Sequence, residues 1–311
     1  MTRIRIHEVG PRDGLQAERQ VVPTGTKFDW LTRLVASGVD IVQVGSFVHP
    51  EKVPQMADTD ELFRRLTLDT PGTLGKRGGA TLSGLVLNEK GLERGLVCGV
   101  ELFCMGVSAS ETHSRKNTGM GTDEATKRII ATALEARRAG REVQASVQSA
   151  FGCGFEGAIA EARVMGIVSK YLEAGLDAIS LADTAGHAYP AQVSTYVRRI
   201  LALDPSARVT AHIHNTYGVG MANVYAALDA GATSIESSFG GLGGCPFTRV
   251  AAGNVATEDL VHALQRAGER EDINLDALVH VARDVAQFFA RELPGCVYKI
   301  GPIPVGAPAL P

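Results

Sequence analysis

The chain has 311 residues, 45% of them hydrophobic and 21% charged, and a net charge of −3. That is the make-up of a globular protein long enough for one large α/β domain or two ordinary ones. The small negative charge leaves no basic footprint, so nucleic acid and anionic membrane surfaces are excluded as expected partners, and an anionic ligand must be met by a local cluster of cations.

The N-terminus opens directly into a strand-like run, Ile4–Val9, without an apolar targeting segment. A cytoplasmic location is therefore expected. No apolar run approaches the ~18–20 residues of a membrane span. Thr24–Ser37 is a helix with Phe28, Leu31, Leu34 and Val35 on one face and Gly38 as its stop. Strands follow at Ile41–Ser46, Thr81–Leu87 and Val100–Gly106, and then a polar loop from Ser108 to Asn117 with three serines, a histidine and two cations. Thr122–Ala139 is predicted helical. Thr122 is its expected N-cap, Asp123 and Glu124 lie in its first turn, and Arg137 and Arg138 lie in its last, an order that suits the helix dipole. The pattern then repeats: strand Glu142–Ser149, helix Ala162–Ala174, strand Ala178–Ala182, helix Pro190–Leu203, strand Val209–His214, helix Gly218–Ala230, strand Ser234–Ser237. Thr257–Ala267 and Leu275–Arg291 read as additional helices. The tail from Pro294, with Pro302, Pro304, Pro308 and Pro311, reads as extended.

Eight strand-then-helix units at even spacing predict an α/β protein of the (β/α)8 barrel type. A doubly wound open sheet more often uses five or six strands. The expected organisation is a single catalytic barrel domain over 1–293, with extra C-terminal helices, and a Pro-rich tail over 294–311.

In such a barrel the chemistry sits at the C-terminal ends of the strands. Arg12 and Asp13 follow the first strand, Gln43 and Ser46 end the second, and Ser108–Asn117 follows the fourth. Asp183 and Thr184 follow the sixth, His212 and His214 end the seventh, and Gly240–Asn254 follows the eighth. All these polar segments converge on one mouth.

His212 and His214 are two apart, so on a strand both face the same side. They are either a polar pair hydrogen-bonded inside the barrel or, with Asp13 and Asn254 converging, ligands of a divalent cation. Two imidazoles, a carboxylate and an amide oxygen leave two open positions on an octahedral ion. That set suits Mg2+ or Mn2+, although imidazole also suits zinc. No cysteine is in the set, which weighs against structural zinc. Asp13 reads as ligand, base or loop cap. Arg12 reads as a surface charge or as the group that stabilises an enolate or thioester oxygen.

Cys245 follows Gly240, Gly241, Gly243 and Gly244 and precedes Pro246. Four glycines in five residues favour a mobile loop, and over a metal site a thiol on such a loop reads as a proton donor rather than an inert core residue. No lysine or serine follows in the P-loop arrangement. The Ser108–Asn117 loop, with Ser108 and Ser110, either grips a phosphate or pantetheine arm or is ordinary polar surface. The other cysteines, Cys98, Cys104, Cys153 and Cys296, read as structural; an odd total of five, widely spaced, gives neither a disulfide framework nor a zinc pattern.

These residues carry a resemblance. Glu8-Val9-Gly10-Pro11-Arg12-Asp13-Gly14-Leu15-Gln16, Ser46-Phe47-Val48 with Val53-Pro54-Gln55-Met56, Ser180-Leu181-Ala182-Asp183-Thr184, His212-Ile213-His214-Asn215-Thr216-Tyr217-Gly218, Gly241-Leu242-Gly243-Gly244-Cys245-Pro246 and Gly253-Asn254-Val255-Ala256-Thr257-Glu258-Asp259 resemble the 3-hydroxy-3-methylglutaryl-CoA lyase family of the DRE-TIM metallolyase superfamily. The likeness covers nearly the whole chain except the tail. It implies that Asp13, His212, His214 and Asn254 bind the cation, that Arg12 stabilises the enolate, and that Cys245 protonates it. Asp13 and His212 are the two candidates for the base. Gln43, Ser108, Ser110, Asp183, Thr184 and Arg249 are the expected substrate contacts, and the partner is an acyl-CoA, met by a homo-oligomer (dimer or tetramer).

The sequence departs from the family at three places. Gln43 stands where the family usually has an acid, Asn215 where the His-x-His is usually followed by Asp, and Arg249 is an extra cation near the mouth. The reaction implied is a retro-Claisen-type cleavage of a 3-hydroxyacyl-CoA, with 3-hydroxy-3-methylglutaryl-CoA the leading substrate and citramalyl-CoA the close variant. A condensing synthase, related to isopropylmalate synthase, is disfavoured because that branch often carries long C-terminal regulatory domains, not expected here, and lacks this cysteine loop. A non-catalytic barrel is disfavoured because all four ligand candidates and the thiol are present.

Overall fold

The computed structural model describes residues 3–69, 79–244 and 253–303. Among them, eight strands hydrogen-bond side by side in chain order, all parallel, and the ring closes where the first pairs with the last. They are β1 (Arg5–Glu8), β2 (Ile41–Ser46), β3 (Thr81–Leu85), β4 (Leu102–Ser108), β5 (Glu142–Gln148), β6 (Ala178–Asp183), β7 (Arg208–Ile213) and β8 (Ser234–Ser237). This is the predicted (β/α)8 barrel.

The strands follow a period of two. Val42 and Val44 of β2, Val143, Ala145 and Val147 of β5, and Val209, Ala211 and Ile213 of β7 are buried in one large core with the surrounding helices. The alternate residues Gln43, Gln144, Ser146 and His212 line the barrel's interior cavity. Ile41, Leu102 and Cys104 make a second, small apolar cluster.

The outer layer contains α1 (Thr24–Ala36), α2 (Thr59–Asp69), α3 (Glu89–Val97), α4 (Glu111–Thr118), α5 (Thr122–Arg138), α6 (Glu161–Glu173), α7 (Pro190–Leu203) and α8 (Gly220–Asp229). After the barrel come α9 (Thr257–Arg266), α10 (Leu275–Phe288) and the short α11 (Val297–Ile300). Apart from α4, whose buried residues are His113 and Ser114, the helices turn apolar residues inward. In α7 the stripe is Val193, Tyr196, Val197 and Ile200, at helical spacing, and each aliphatic member stabilises the fold by about 1.5–3 kcal/mol relative to leaving it in water. α2 and α3 escape the sequence reading for different reasons. α2 is strongly charged around its buried Leu62, Phe63 and Leu66. In α3, Gly95 looks like a helix breaker, yet a Cβ there would lie 2.5 Å from the Phe103 ring, so the close packing requires it.

Three expectations need correction. The polar segment from Ser108 is not a loop: β4 runs through Ser108, and α4 starts at Glu111 with Ser110 as its N-cap, accepting from the His113 amide at 3.1 Å. Thr122 is the first residue of α5 and Gly121 its N-cap, because Glu111 supplies the acceptor for the Thr122 amide at 2.8 Å. The tail is not extended from Pro294. Val297 and Tyr298 are buried, and the Asp259 carboxylate accepts the Cys296 and Val297 amides at the start of α11. Pro304, Pro308 and Pro311 lie outside the described residues.

Candidate active site

β1 runs out at Glu8 into a five-residue π-helical turn, Gly10–Gly14, with Pro11 in its first positions. The Leu15 amide bonds back to the Gly10 carbonyl and the Asp13 amide to the Val9 carbonyl at 2.7 Å. This wide turn sets Arg12 and Asp13 side by side at the mouth, as such single-turn π elements commonly do at functional sites. Arg12 Nε donates to Gln43 Oε1 and Arg12 Nη1 to Asp13 Oδ1. Gln43 is itself re-aimed by a register slip between β2 and β3 at Gln43/Gly45.

Opposite the turn stand His212 near the end of β7 and His214 just beyond it, the latter bridged to Asn254. The two imidazole Nε2 atoms are 3.1 Å apart, and Asp13 Oδ2 is 3.9 Å from one and 3.8 Å from the other. Asn254 Nδ2 donates to Asp13 Oδ2 at 2.7 Å, and Asn254 Oδ1 is buried with no hydrogen-bond partner. A buried amide oxygen without a partner is costly unless something fills it. Two imidazole nitrogens and a carboxylate oxygen lying within 4.8 Å of one another make this a possible metal site. The mixed nitrogen and oxygen donors fit a divalent cation. Gly243, at φ +125°, closes the cluster from above; a Cβ there would lie 2.4 Å from Asn254 Nδ2 and 3.2 Å from Asp13 Oδ2, so only glycine fits.

The charges are arranged to keep these donors available. Burial raises the Asp13 carboxyl, but Arg12, the two histidines and the Asn254 amide outweigh it and hold it at about 2. Burial opposes charge on His212, yet the Glu236 and Asp13 carboxylates overcome that and push its proton affinity up. Glu236, facing His212 across β7 and β8, binds His212 Nδ1 at 2.7 Å through Oε2. Its Oε1 accepts from Gln144 Nε2 at 2.5 Å and lies 3.3 Å from His7 Nδ1. Thr210 Oγ1 donates to Gln144 Oε1 and so fixes the amide's orientation. With Nδ1 committed to Glu236, His212 presents its Nε2 lone pair to the cluster, the usual carboxylate–histidine arrangement behind a metal ligand. The Glu236→Gln variant is expected to bind Mn2+ about 10–100-fold more weakly. Titration of free Mn2+ by electron paramagnetic resonance checks this, and an unchanged affinity would remove Glu236 from the site.

A cavity of about 270 Å3 opens at this mouth, and its lining contains Arg12, Asp13, Gln43, His212 and His214. Of the other expected substrate contacts, Thr184 lines it. Ser108, Ser110 and Asp183 are buried outside the lining. The Ser108 hydroxyl accepts the Ser110 amide, and the Ser110 hydroxyl caps α4 and accepts from Cys153 Sγ, while His113 and Asn117 of α4 reach the cavity instead. Burial pushes the Asp183 carboxyl up to about 7 while it accepts the Ala188 amide at 3.2 Å, holding the turn after β6. Cys245 and Arg249 lie outside the described residues, and Gly244, which precedes Cys245, lines the cavity.

Glu236, Gln144 and His7 are the site residues that sequence reasoning missed. Gln144 carried a signal, a polar side chain between the apolar Val143 and Ala145; His7 and Glu236 each have only one apolar neighbour, Ile6 and Ile235, and so a weaker one. Cys104 also lines the cavity, with its thiol pushed up to about 12 by burial.

Residues 3–285 match the HMGL-like family. Among characterised relatives, the (R)-citramalyl-CoA lyase of Chloroflexus aurantiacus is 38% identical over 97% of this chain and 96% of its own. The hydroxymethylglutaryl-CoA lyase YngG of Bacillus subtilis is 35% identical over 94% and 95%. Among solved structures, an HMG-CoA lyase from Acinetobacter baumannii in complex with coenzyme A and 3-methylmalate superposes with a TM-score of 0.88, at 34% identity, over 99% of this chain and 98% of that one. The chain belongs to the HMGL-like family, in the HMG-CoA lyase group of the DRE-TIM superfamily.

Proposed function

We propose that the chain is a divalent-metal-dependent carbon–carbon lyase acting on a 3-hydroxy-3-alkylacyl-CoA, with 3-hydroxy-3-methylglutaryl-CoA as its leading substrate. The observation that carries the reading is the convergence of Asp13, His212 and His214 at the mouth of the barrel, with the Asn254 amide bonded to Asp13 and the Arg12 guanidinium beside it. Asp13, His212, His214 and Asn254 would hold Mg2+ or Mn2+, which when bound supplies Lewis-acid polarisation and a template for the hydroxy-acid oxygens.

The chain's own residues do the rest. A proton must leave the substrate's tertiary hydroxyl as the Cα–Cβ bond breaks. His212 has one lone pair, on Nε2, because Nδ1 is committed to Glu236. It cannot serve as both ligand and base. Asp13 has two oxygens, one toward the histidines and one toward Arg12, so it can stay in the ligand set through the first while the second takes the proton and passes it to solvent. The electron pair of the broken bond enters the acetyl-CoA enolate, where Arg12 stabilises the oxyanion. The Cys245 thiol returns a proton to the enolate carbon, and solvent restores the thiol.

A second reading is favoured by Gln43. The carboxylate of citramalyl-CoA is one carbon nearer the reacting centre than that of 3-hydroxy-3-methylglutaryl-CoA. An acid on β2 would repel it more, and the Gln43 amide bonded to Arg12 does not. Two like charges about 4 Å apart near a protein surface interact by about 4 kcal/mol, and Arg12 offsets part of that. Gln43→Glu is therefore expected to lower kcat/KM for citramalyl-CoA relative to 3-hydroxy-3-methylglutaryl-CoA by about tenfold. The decisive experiment incubates the protein and Mg2+ or Mn2+ with both thioesters and identifies products. Acetoacetate with acetyl-CoA supports the first reading, pyruvate with acetyl-CoA the second, and no cleavage of either defeats both.

A further inference from the structure

Two buried carboxyl groups lie beneath the mouth and take no part in the steps above: Glu8 at the end of β1 and Glu258 at the start of α9. A single oxygen of Glu8, Oε1, accepts two backbone amides at once. One belongs to Gly10, at 2.6 Å, where the turn bearing Arg12 and Asp13 begins. The other belongs to Phe239, at 3.1 Å, where the glycine segment after β8 begins. Glu258 Oε2 accepts the next amide of that segment, Gly240, at 3.0 Å.

Followed onward, these bonds close a ring. The glycine segment leads to the Leu242 carbonyl, which accepts the Asn254 amide at 3.2 Å and its Nδ2 at 3.1 Å. Asn254 Nδ2 donates to Asp13 Oδ2, and Asp13 leads back along its turn to Gly10 and Glu8. There is no slack in the ring: a Cβ on Gly10 would lie 2.6 Å from the Phe239 ring and 2.7 Å from Glu8 Oε1. The Phe239 ring is itself held edge-on by Trp30 of α1, with centroids 6.2 Å apart.

We propose that Glu8 is the positioning residue of the cation site, its one carboxyl oxygen tying the turn that carries Asp13 to the segment that seats Asn254 and so setting the separation of these two side chains. The inference rests on the assignment of Asp13 and Asn254 as ligands. What Glu8 supplies is an acceptor at a fixed reach. Its burial pushes the carboxyl up to about 7, so an uncharged amide of the same length is a fair substitute.

Mn2+ affinity, followed by electron paramagnetic resonance on the full chain without substrate, tests this in three variants. Glu8→Gln keeps the acceptor at the same reach and is expected to stay within threefold of the parent. Glu8→Asp keeps the acid but withdraws it by one methylene, and Glu8→Ala removes it; both are expected to weaken Mn2+ binding about 10–100-fold. Circular dichroism confirms folding, and if Glu8→Ala does not fold the Gln and Asp pair decides. Parent-like affinity in Glu8→Asp, or Glu8→Gln as weak as Glu8→Asp, overturns the inference. A parent that binds Mn2+ no better than Asp13→Asn instead defeats the ligand assignment.

Discussion

Asp13→Asn is expected to lower turnover by about a thousandfold or more. The substitution keeps the shape of the side chain but removes a negative charge that faces Arg12 on one side and His212 and His214 on the other. It takes away a ligand and the proton acceptor together. Lewis-acid stabilisation is worth several kcal/mol, and each 1.36 kcal/mol is a factor of ten in rate. Mn2+ affinity should fall in parallel, because an amide oxygen is a poorer ligand than a carboxylate held ionised at about 2. The same site predicts the pH response. Histidine ligands must be neutral, so protons compete with the cation as pH falls. Glu236 and Asp13 raise the proton affinity of His212, so the loss of cation affinity sets in at a higher pH than an ordinary imidazole near 6.5 would give. Glu236→Gln removes part of that push, and the onset should move to lower pH. A turnover within tenfold of the parent in Asp13→Asn would strip Asp13 of both roles.

Cys245→Ser should cost about 10²–10⁴-fold in kcat, the range for loss of a general acid. A hydroxyl at that position is a far weaker acid than a thiol, so the enolate recombines with the keto acid rather than being protonated. Because Cys245 is outside the ligand set, Mn2+ affinity should stay within about threefold of the parent, well short of the effect of losing a ligand's supporting residue. That separation of rate from metal binding distinguishes a proton donor from a residue that merely shapes the mouth. The segment leading to it is built for close approach: Gly243 leaves no room for a side chain beside Asn254, and Gly244 lines the cavity. Parent-level turnover in Cys245→Ser would remove the thiol from the reaction.

Much of the candidate site could be read before any fold was known. His-x-His on a strand fixes two imidazoles on one side by the geometry of the pleat alone. The placement of Arg12, Asp13 and Asn254 after strand ends puts them at one mouth once the barrel is recognised, and the structure brings them together with the histidines and with Gln43, which lies within β2. Ser108 and Ser110 show where such reading stops. Three serines in a polar stretch look the same whether they face a ligand or cap a helix. The difference lies in Ser110 capping the His113 amide three residues on and meeting Cys153, 43 residues away. Asp183 is similar, since its carboxyl turns into the fold to hold the Ala188 amide.

The period-two strands, the amphipathic helices and the His-x-His pair are local properties, set by backbone geometry and the burial of apolar side chains. The sequence by itself therefore determined the (β/α)8 architecture and the identity of the cluster's donors. Tertiary structure alone decided which polar residues support that cluster. Glu236 meets His212 because β7 and β8 pair in a particular register, and Glu8 reaches Phe239 across 231 residues because the barrel closes β1 against β8. Such contacts depend on distances between segments far apart in the chain, which no local pattern of residues encodes.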